Sequence, residues 1–409
     1  MSQLDVLRGG IDEVDKQIVH LFERRMELSR KVGEYKQARN MAVLDPRRER
    51  EVIAKKLEEL GDPSLGTDVI LLYETIMGIS RRQQRALVQE GRGNPLYDRC
   101  ADAIAAAREP VSHPRVTYQG VPGAYSEEAC VRFFGSDMDC RGLPQFEDVF
   151  RSLHDGEADY GVVPIENSST GAIRQNYDLL AQYECYIVGE TTVQVEHCLL
   201  APHGATLDTI THVYSHEQGL FQSEAFLNSH PSWVQVPFGD TAGSAEYIAQ
   251  AGDITKAAIC SERAAALYDL DVLVRGTNFS RINTTRFVVI SPCMELRPGA
   301  DKISTSFTLP HQSGSLHEIL TIFAVHGLNL QRLESRPLPG RNWEYMFFLE
   351  FTGHLGAEMD AVLHELTQST EDFRLYGNFV SNLEPAGEAV SLPGAELPAD
   401  APAQERQAP

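Results

Sequence analysis

No run of about eighteen apolar residues occurs in this chain, and no charged-then-apolar leader opens it. Neither a membrane span nor a secretion signal is therefore expected. The seven cysteines form no C-x-x-C pair, and an odd number argues against a disulfide framework. They are expected as reduced thiols of a cytoplasmic protein. No His, Cys, Asp or Glu cluster has metal-ligand spacing, and no glycine-rich loop has nucleotide spacing. Chemistry without metal or organic cofactor is the expectation. Positive charge is short as well: 36 Lys and Arg against 58 Asp and Glu leave a formal net charge of −22. That balance disfavours nucleic acid. It also repels anionic metabolites at long range, so local arginines and helix termini must hold them.

What is present begins with a stripe. Leu4, Leu7, Ile11, Val14, Ile18, Leu21, Arg25, Leu28, Val32 and Tyr35 alternate spacings of three and four, the pattern of a long helix with one buried face. Arg25 falls in that seam, where an unpaired guanidinium is costly. A neighbouring carboxylate or an anionic ligand must meet it. Lys36 lies three turns on, near the same face. Arg8 lies about 26 Å away along the helix, too far to share one small ligand with them. A helix roughly 50 Å long also outgrows the segment around it, so a second copy is needed to bury the stripe. An intertwined helical dimer is expected, with Arg8 serving the partner's site. Asp45-Pro46-Arg47-Arg48-Glu49 opens a second helix, and taken alone it reads as ordinary capping. A third helix, about 67–91, carries Ser80 and Gln84 where a core would take leucine. A cavity lined by Arg25, Lys36, Ser80 and Gln84 follows, since buried polar groups need partners.

These residues resemble the all-helical chorismate mutase family from Leu4 to about Gln89. The resemblance implies a pericyclic rearrangement of chorismate to prephenate, without base or covalent intermediate. Catalysis would rest on holding a reactive conformer and on donors to the breaking ether bond. By that resemblance Lys36 and Gln84 donate to the ether oxygen. Arg25, Arg48 and the partner's Arg8 clamp the carboxylates, Asp45 and Glu49 position the hydroxyl and ring, and Ser80 supports a carboxylate.

Residues 92–114 read as a linker with one short helix, and 384–409 as a disordered tail rich in Pro, Ala, Gly and Glu. Between 115 and 292 the texture is strand–turn–helix. Gly120 to Ser126, Glu166 to Gly171, Ser215 to Gln218 and Asp240 to Ala242 each end a β-rich run and open a helix. Singly, each suits capping. Four together suit a binding cleft at the carboxyl ends of strands. Val163-Pro164-Ile165-Glu166-Asn167-Ser168 and Thr285-Arg286-Phe287, with Ser215-His216 and Gln222, resemble the prephenate dehydratase family. That implies two α/β lobes like periplasmic-type binding proteins, and loss of a ring hydroxyl and a carboxylate to give phenylpyruvate. Thr285 would donate the proton, within a network drawn from Ser215, Gln222, Asn167 and Glu166. Ser168 would line the site and Arg286 would anchor a carboxylate.

Residues 302–382 read β-α-β-β-α-β, the ferredoxin-like α+β order. Strands are expected at 303–309, 328–334, 343–351 and 373–380, with the second helix at 357–368. Gly314-Ser315-Leu316 and Glu334-Ser335-Arg336-Pro337 resemble the phenylalanine-binding motifs of the ACT regulatory domain, Ser315 replacing the usual alanine. The expectation is a multidomain homodimer: helical mutase at 1–91, dehydratase at 115–292 and ACT domain at 302–382. It would convert chorismate through prephenate to phenylpyruvate, with L-phenylalanine as effector. Two alternatives stand: a mutase fused to a non-catalytic sensing module, and arogenate as the dehydratase substrate.

Overall fold

The computed structural model describes residues 2–89, 93–136, 138–278, 283–312, 314–338, 340–341 and 344–382. The tail expected from 384 lies outside them, as does Trp343. Helix α1 (Gln3–Ala38) starts on a capping box between Ser2 and Asp5. Helix α2 (Pro46–Glu58) starts where Asp45 caps and Pro46 presets the first turn. Helix α3 (Gly66–Gln89) runs parallel to α1, since Arg25 meets Ser80, Ser29 meets Gln84, and Gln37 meets Leu87.

The apolar stripe is not the face that packs on α3. Met26, Ser29 and Gly33 form the buried line of α1. Leu4, Leu7, Ile11, Val14, Ile18, Leu21, Leu28, Val32 and Tyr35 are 47–63% exposed. Arg25 therefore sits at the border of two faces rather than in the middle of one. Gly33 permits the close approach: a Cβ there would stand 3.0 Å from Gln84 Cγ and 3.2 Å from Leu87 Cδ1.

The short helix expected in the linker is α4 (Pro95–Ala105), and it is no free tether. Cys100 enters the C-terminal core, Asn94 Nδ2 donates to Thr367 Oγ1 at 2.8 Å, and Tyr97 donates to Asp360.

The chain next builds one lobe from β1 (Val116–Gln119), α5 (Tyr125–Phe134), β2 (Cys140–Leu143), α6 (Phe146–His154), β3 (Tyr160–Asn167), β4 (Gly171–Ala172), α7 (Arg174–Tyr183) and β5 (Tyr186–Gln194). It crosses to a second lobe of β6 (Cys198–Ala201), β7 (His212–Ser215), α8 (Glu217–Gln222), α9 (Glu224–Asn228), β8 (Val234–Pro237), α10 (Thr241–Ala251), β9 (Lys256–Cys260), α11 (Glu262–Tyr268) and β10 (Asp271–Arg275). It returns as β11 (Thr284–Ser291), antiparallel between β3 and β5. The sheet orders are β2-β1-β3-β11-β5, with β4 beside β3, and β10-β6-β9-β7-β8. Strands β3 and β11 are covered on both faces, which is why they read as nearly continuous apolar runs.

The C-terminal segment is β12 (Lys302–Thr308), α12 (Ser315–Val325), β13 (Leu330–Pro337), β14 (Tyr345–Thr352), α13 (Ala357–Ser369) and β15 (Asp372–Phe379), in sheet order β13-β14-β12-β15. Its second strand begins later than expected because Gly327 to Asn329 make the turn. One sheet face carries α12 and α13 through Ile319, Ile322, Phe323, Leu363 and Leu366. The other lies on the first lobe, where Phe348 and Tyr376 join the core of Tyr177, Ile165 and Val288. Gly377 is obligatory at that junction: a Cβ would stand 2.1 Å from the carbonyl oxygen of Ile187.

Candidate active sites

The two segments joining the lobes carry a line of buried polar side chains. Thr285, second in β11, lies directly opposite Asn167 at the end of β3, and Asn167 Nδ2 donates to Thr285 Oγ1 at 2.8 Å. The same amide donates to Asn283 Oδ1 at 2.8 Å. Asn283 Nδ2 donates to Gln222 Oε1 at 3.0 Å, and that oxygen lies 2.9 Å from His197 Nε2. His197 Nδ1 lies 3.1 Å from the hydroxyl of Tyr125. Asn167, Asn283, Gln222, His197 and Thr285 are all buried. Burial lowers the His197 pKa to about 4, against a smaller opposing effect of its bond to Gln222, so the ring is neutral at physiological pH. Lobe contacts beside it are close. Ser261 Oγ donates to the Gly123 carbonyl at 2.9 Å, and Arg263 Nε to Glu127 Oε2 at 3.0 Å.

A second site lies along the α1–α3 seam. Arg25 Nη1 donates to Ser80 Oγ at 2.8 Å, and among the described residues no carboxylate pairs with it. Burial lowers its pKa, with Tyr73 opposing. One turn further on, Gln84 Nε2 donates to Ser29 Oγ at 3.0 Å while Gln84 Oε1 is buried with no partner. A serine hydroxyl serves an amide in either orientation, so the reversed amide would aim an N–H where that orphan oxygen stands. Lys36 Nζ donates to the Val43 carbonyl. Asp45 caps α2 through the Arg48 N–H at 3.0 Å, as plain capping predicts. Arg48 reaches Glu51 at 3.5 Å on the surface, and Glu49 takes Arg81 on both oxygens at 2.6 and 2.7 Å. Arg8 is exposed.

Residues 7–85 match the family model for chorismate mutase type II, and residues 116–295 the model for prephenate dehydratase. The Escherichia coli K12 bifunctional chorismate mutase/prephenate dehydratase is 35% identical over 392 residues, covering 93% of this chain and 97% of that protein. The chain belongs to the bifunctional chorismate mutase/prephenate dehydratases. A chloroplastic arogenate dehydratase/prephenate dehydratase of Arabidopsis thaliana is 35% identical over 331 residues, covering 76% of this chain and 79% of its own. Among solved structures, prephenate dehydratase from Arthrobacter aurescens in complex with L-Phe aligns with a TM-score of 0.60 at 29% identity, over 65% of this chain and 90% of that one.

Within this bifunctional mutase/dehydratase, the structure corrects three of the expected dehydratase residues, two of them through strand geometry. Side chains alternate across a strand, so Thr285 and Arg286 face opposite ways, as do Asn167 and Glu166. Arg286 therefore turns from the cleft to the C-terminal sheet. Its Nη1 meets Glu190 Oε2 and Glu350 Oε2, both at 2.7 Å, and its Nη2 meets Glu350 Oε1 at 2.9 Å. Lys302 Nζ completes the cluster on Glu190 at 2.6 Å. A guanidinium so engaged is no free carboxylate anchor. Glu166 pairs with Arg332 of β13 and is likewise outside the Thr285 network. Ser215 is fully buried in the second lobe, where its hydroxyl donates to the Ile259 carbonyl at 2.6 Å. Ser168 lies at the strand end, its N–H donating to the Thr284 carbonyl at 2.9 Å. Asn167 does join Thr285 directly, and Gln222 joins it through Asn283 and Asn167.

The motifs expected to bind an effector fall at one end of the C-terminal sheet. Gly314, in the left-handed region at φ 86°, leads into α12 at Ser315 and Leu316, just beyond Thr308 of β12. Arg336 pairs with Met346, and Met346 with Thr308. The motif Glu334-Ser335-Arg336 is thus level with the Gly314 loop. Arg336 meanwhile bonds Asp178 of α7 at 2.6 and 3.2 Å. Sequence reasoning missed His197, Asn283, Glu190, Glu350 and Lys302. For the last three a signal existed: each is a charge set inside or at the edge of a β-rich apolar run, the same clue that marked Arg25.

Proposed function

We propose that the helical site converts chorismate to prephenate and that the interlobe site converts prephenate to phenylpyruvate, under inhibition by L-phenylalanine. At the first, Lys36 and a reversed Gln84 amide donate to the ether oxygen as its bond breaks. Arg25, left without a carboxylate, clamps one substrate carboxylate with Ser80 beside it. Arg48 and Arg8 of the partner subunit hold the other, and Asp45 and Glu49 position the hydroxyl and ring. The exposed α1 stripe supports a homodimer that buries it. At the second site Thr285 protonates the departing ring hydroxyl, and aromatisation drives the loss of carbon dioxide.

The observation that carries the dehydratase reading is the bond from Asn167 to Thr285. It occupies the threonine oxygen as acceptor and leaves the hydroxyl proton for the substrate. Residues 302–382 act as a ferredoxin-like ACT domain, which their strand order supports. Phenylalanine would bind at the sheet end that carries Gly314, Ser315, Leu316, Glu334 and Ser335, with Arg336 reachable from its pair with Asp178. No organic cofactor is needed for either step, and seven unpaired thiols suit a cytoplasmic setting.

The test is phenylpyruvate formation from chorismate by the purified chain, with and without L-phenylalanine. Product that falls on adding phenylalanine is expected. Prephenate accumulating without phenylpyruvate would reduce the middle domain to a binding module. Arogenate remains the second reading, favoured by the plant relative, and turnover of both substrates side by side decides it.

A further inference from the structure

We propose that His197, fixed as its Nε2–H tautomer, is a positioning residue that anchors the far end of the Gln222–Asn283–Asn167 line and so holds the Asn167 amide in place against the Thr285 hydroxyl. The inference rests on Thr285 being the proton donor. It starts from the one amide in the line that cannot turn round. Asn167 Oδ1 accepts the backbone N–H groups of Ser169 at 2.9 Å and Thr170 at 3.1 Å. Two backbone donors fix that end as oxygen. The other end is therefore NH₂, and it donates to both Thr285 Oγ1 and Asn283 Oδ1.

Each further orientation follows. Asn283 presents oxygen to Asn167, so its NH₂ faces Gln222. Gln222 must then present Oε1, and the His197 nitrogen 2.9 Å from that oxygen must carry a proton. With Nε2 protonated and the ring neutral, Nδ1 is an acceptor, and the Tyr125 hydroxyl at 3.1 Å is its donor. That hydroxyl also lies 2.9 Å from the Glu196 carbonyl, so its proton is shared. The opposite tautomer would set two lone pairs against each other at Gln222 Oε1. Turning the Gln222 amide to relieve that clash would oppose N–H to N–H at Asn283. Both faults are buried, where unmade hydrogen bonds are expensive. The line ends with Thr285 as acceptor and its single proton directed to the substrate.

Gln222, from α8, is the second lobe's member of a line otherwise held by the first lobe and the crossings. The anchoring of the line behind Thr285 is thereby tied to lobe contact.

The experiment uses the full-length enzyme and reads mutase turnover on the same chain as a check of folding. His197→Leu is expected to lower dehydratase kcat about tenfold to a hundredfold, as loss of a supporting hydrogen-bond partner does. KM for prephenate and mutase turnover should hold. His197→Gln can place an amide N–H near the position of Nε2–H and should recover part of the loss. His197→Asn, whose amide stands nearer the position of Nδ1, should not. Wild-type kcat in His197→Leu, or no advantage of Gln over Asn, would overturn the proposal. Thr285→Val separates the two readings. If it keeps full dehydratase activity, the proton-donor assignment fails. If it is inactive while His197→Leu is not, only the role of His197 fails. Nitrogen-15 histidine spectra of the unaltered protein, assigned by the His197→Gln difference, must show Nε2 protonated; a protonated Nδ1 refutes the tautomer whatever the variants do.

Discussion

Arg25 and Arg286 are guanidiniums set inside apolar patterns, and the fold resolves them in opposite ways. Arg25 receives a serine hydroxyl and no carboxylate, so its charge is unbalanced until an anion arrives. Arg286 receives two carboxylates and is balanced already. Two predictions follow at this scale. Lys36→Ala should lower mutase kcat by about a hundredfold to a thousandfold, the usual effect of removing a donor to developing charge. Dehydratase turnover of added prephenate should not change, and parallel assays of the two steps check it. Arg286→Ala should destabilise the protein by about 3–5 kcal/mol, because Glu190 keeps only Lys302 as an ion-pair partner and Glu350 loses its direct one while both stay buried. Urea unfolding measures it; a loss under about 1 kcal/mol would mean that the cluster rearranges.

Elements were legible wherever one period governs them. The three–four repeat announced α1 and period two announced the first C-terminal strand, because both are local properties of the backbone. Partners across a face were not legible. The stripe on α1 was read as the face that a second copy buries, but which line of α1 packs on α3 was not read: it is Met26, Ser29 and Gly33, where small residues permit the closer approach. Thr285 and Arg286 were read as one site, although adjacent strand residues must diverge. His197 and Asn283 carry no periodic signal at all, since they sit on the crossings where the chain has no repeat. The stripe supports a prediction of its own. Ile18→Glu, in the exposed line, should shift sedimentation from dimer towards monomer and lower mutase activity. Phenylpyruvate formation from prephenate should be affected less. A dimer unchanged by that charge would place the interface elsewhere.

Across the whole molecule, acid should act first at His197 and, at lower pH, at the junction between the dehydratase lobes and the C-terminal sheet. Burial alone would raise Glu350, but Arg286, with Lys302 and Arg332, holds it below the ordinary carboxylate range. A depressed carboxylate stabilises above its unfolded value, and that contribution is lost as pH falls through the folded one. His197 adds a second acid term. Its folded value is about 4 against an ordinary 6.5. From 6.5 downward the unfolded chain takes up a proton that the folded chain refuses, and stability falls until about pH 4. Urea midpoints should therefore be flat above neutrality and decline below 6.5, with His197→Gln removing the upper part of that decline.

The contrast between the two junctions of the C-terminal sheet bears on how separable that sheet is from the two enzyme units. Its contact with the mutase helices runs through pairs each partly open to water, Arg82 with Glu365 and Arg85 with Glu318, and access of water weakens an ion pair. Its contact with the dehydratase includes Arg286, Glu190, Glu350 and Lys302, charges that water does not reach. Excising residues 1–91 should thus leave a competent, phenylalanine-responsive dehydratase. Cutting after residue 301 would strand Arg286 with half its counter-charge and Glu166 with none. A desensitised enzyme obtained by that truncation should therefore be insoluble or short-lived, and relief from inhibition is better sought by substitution within the sheet than by its removal.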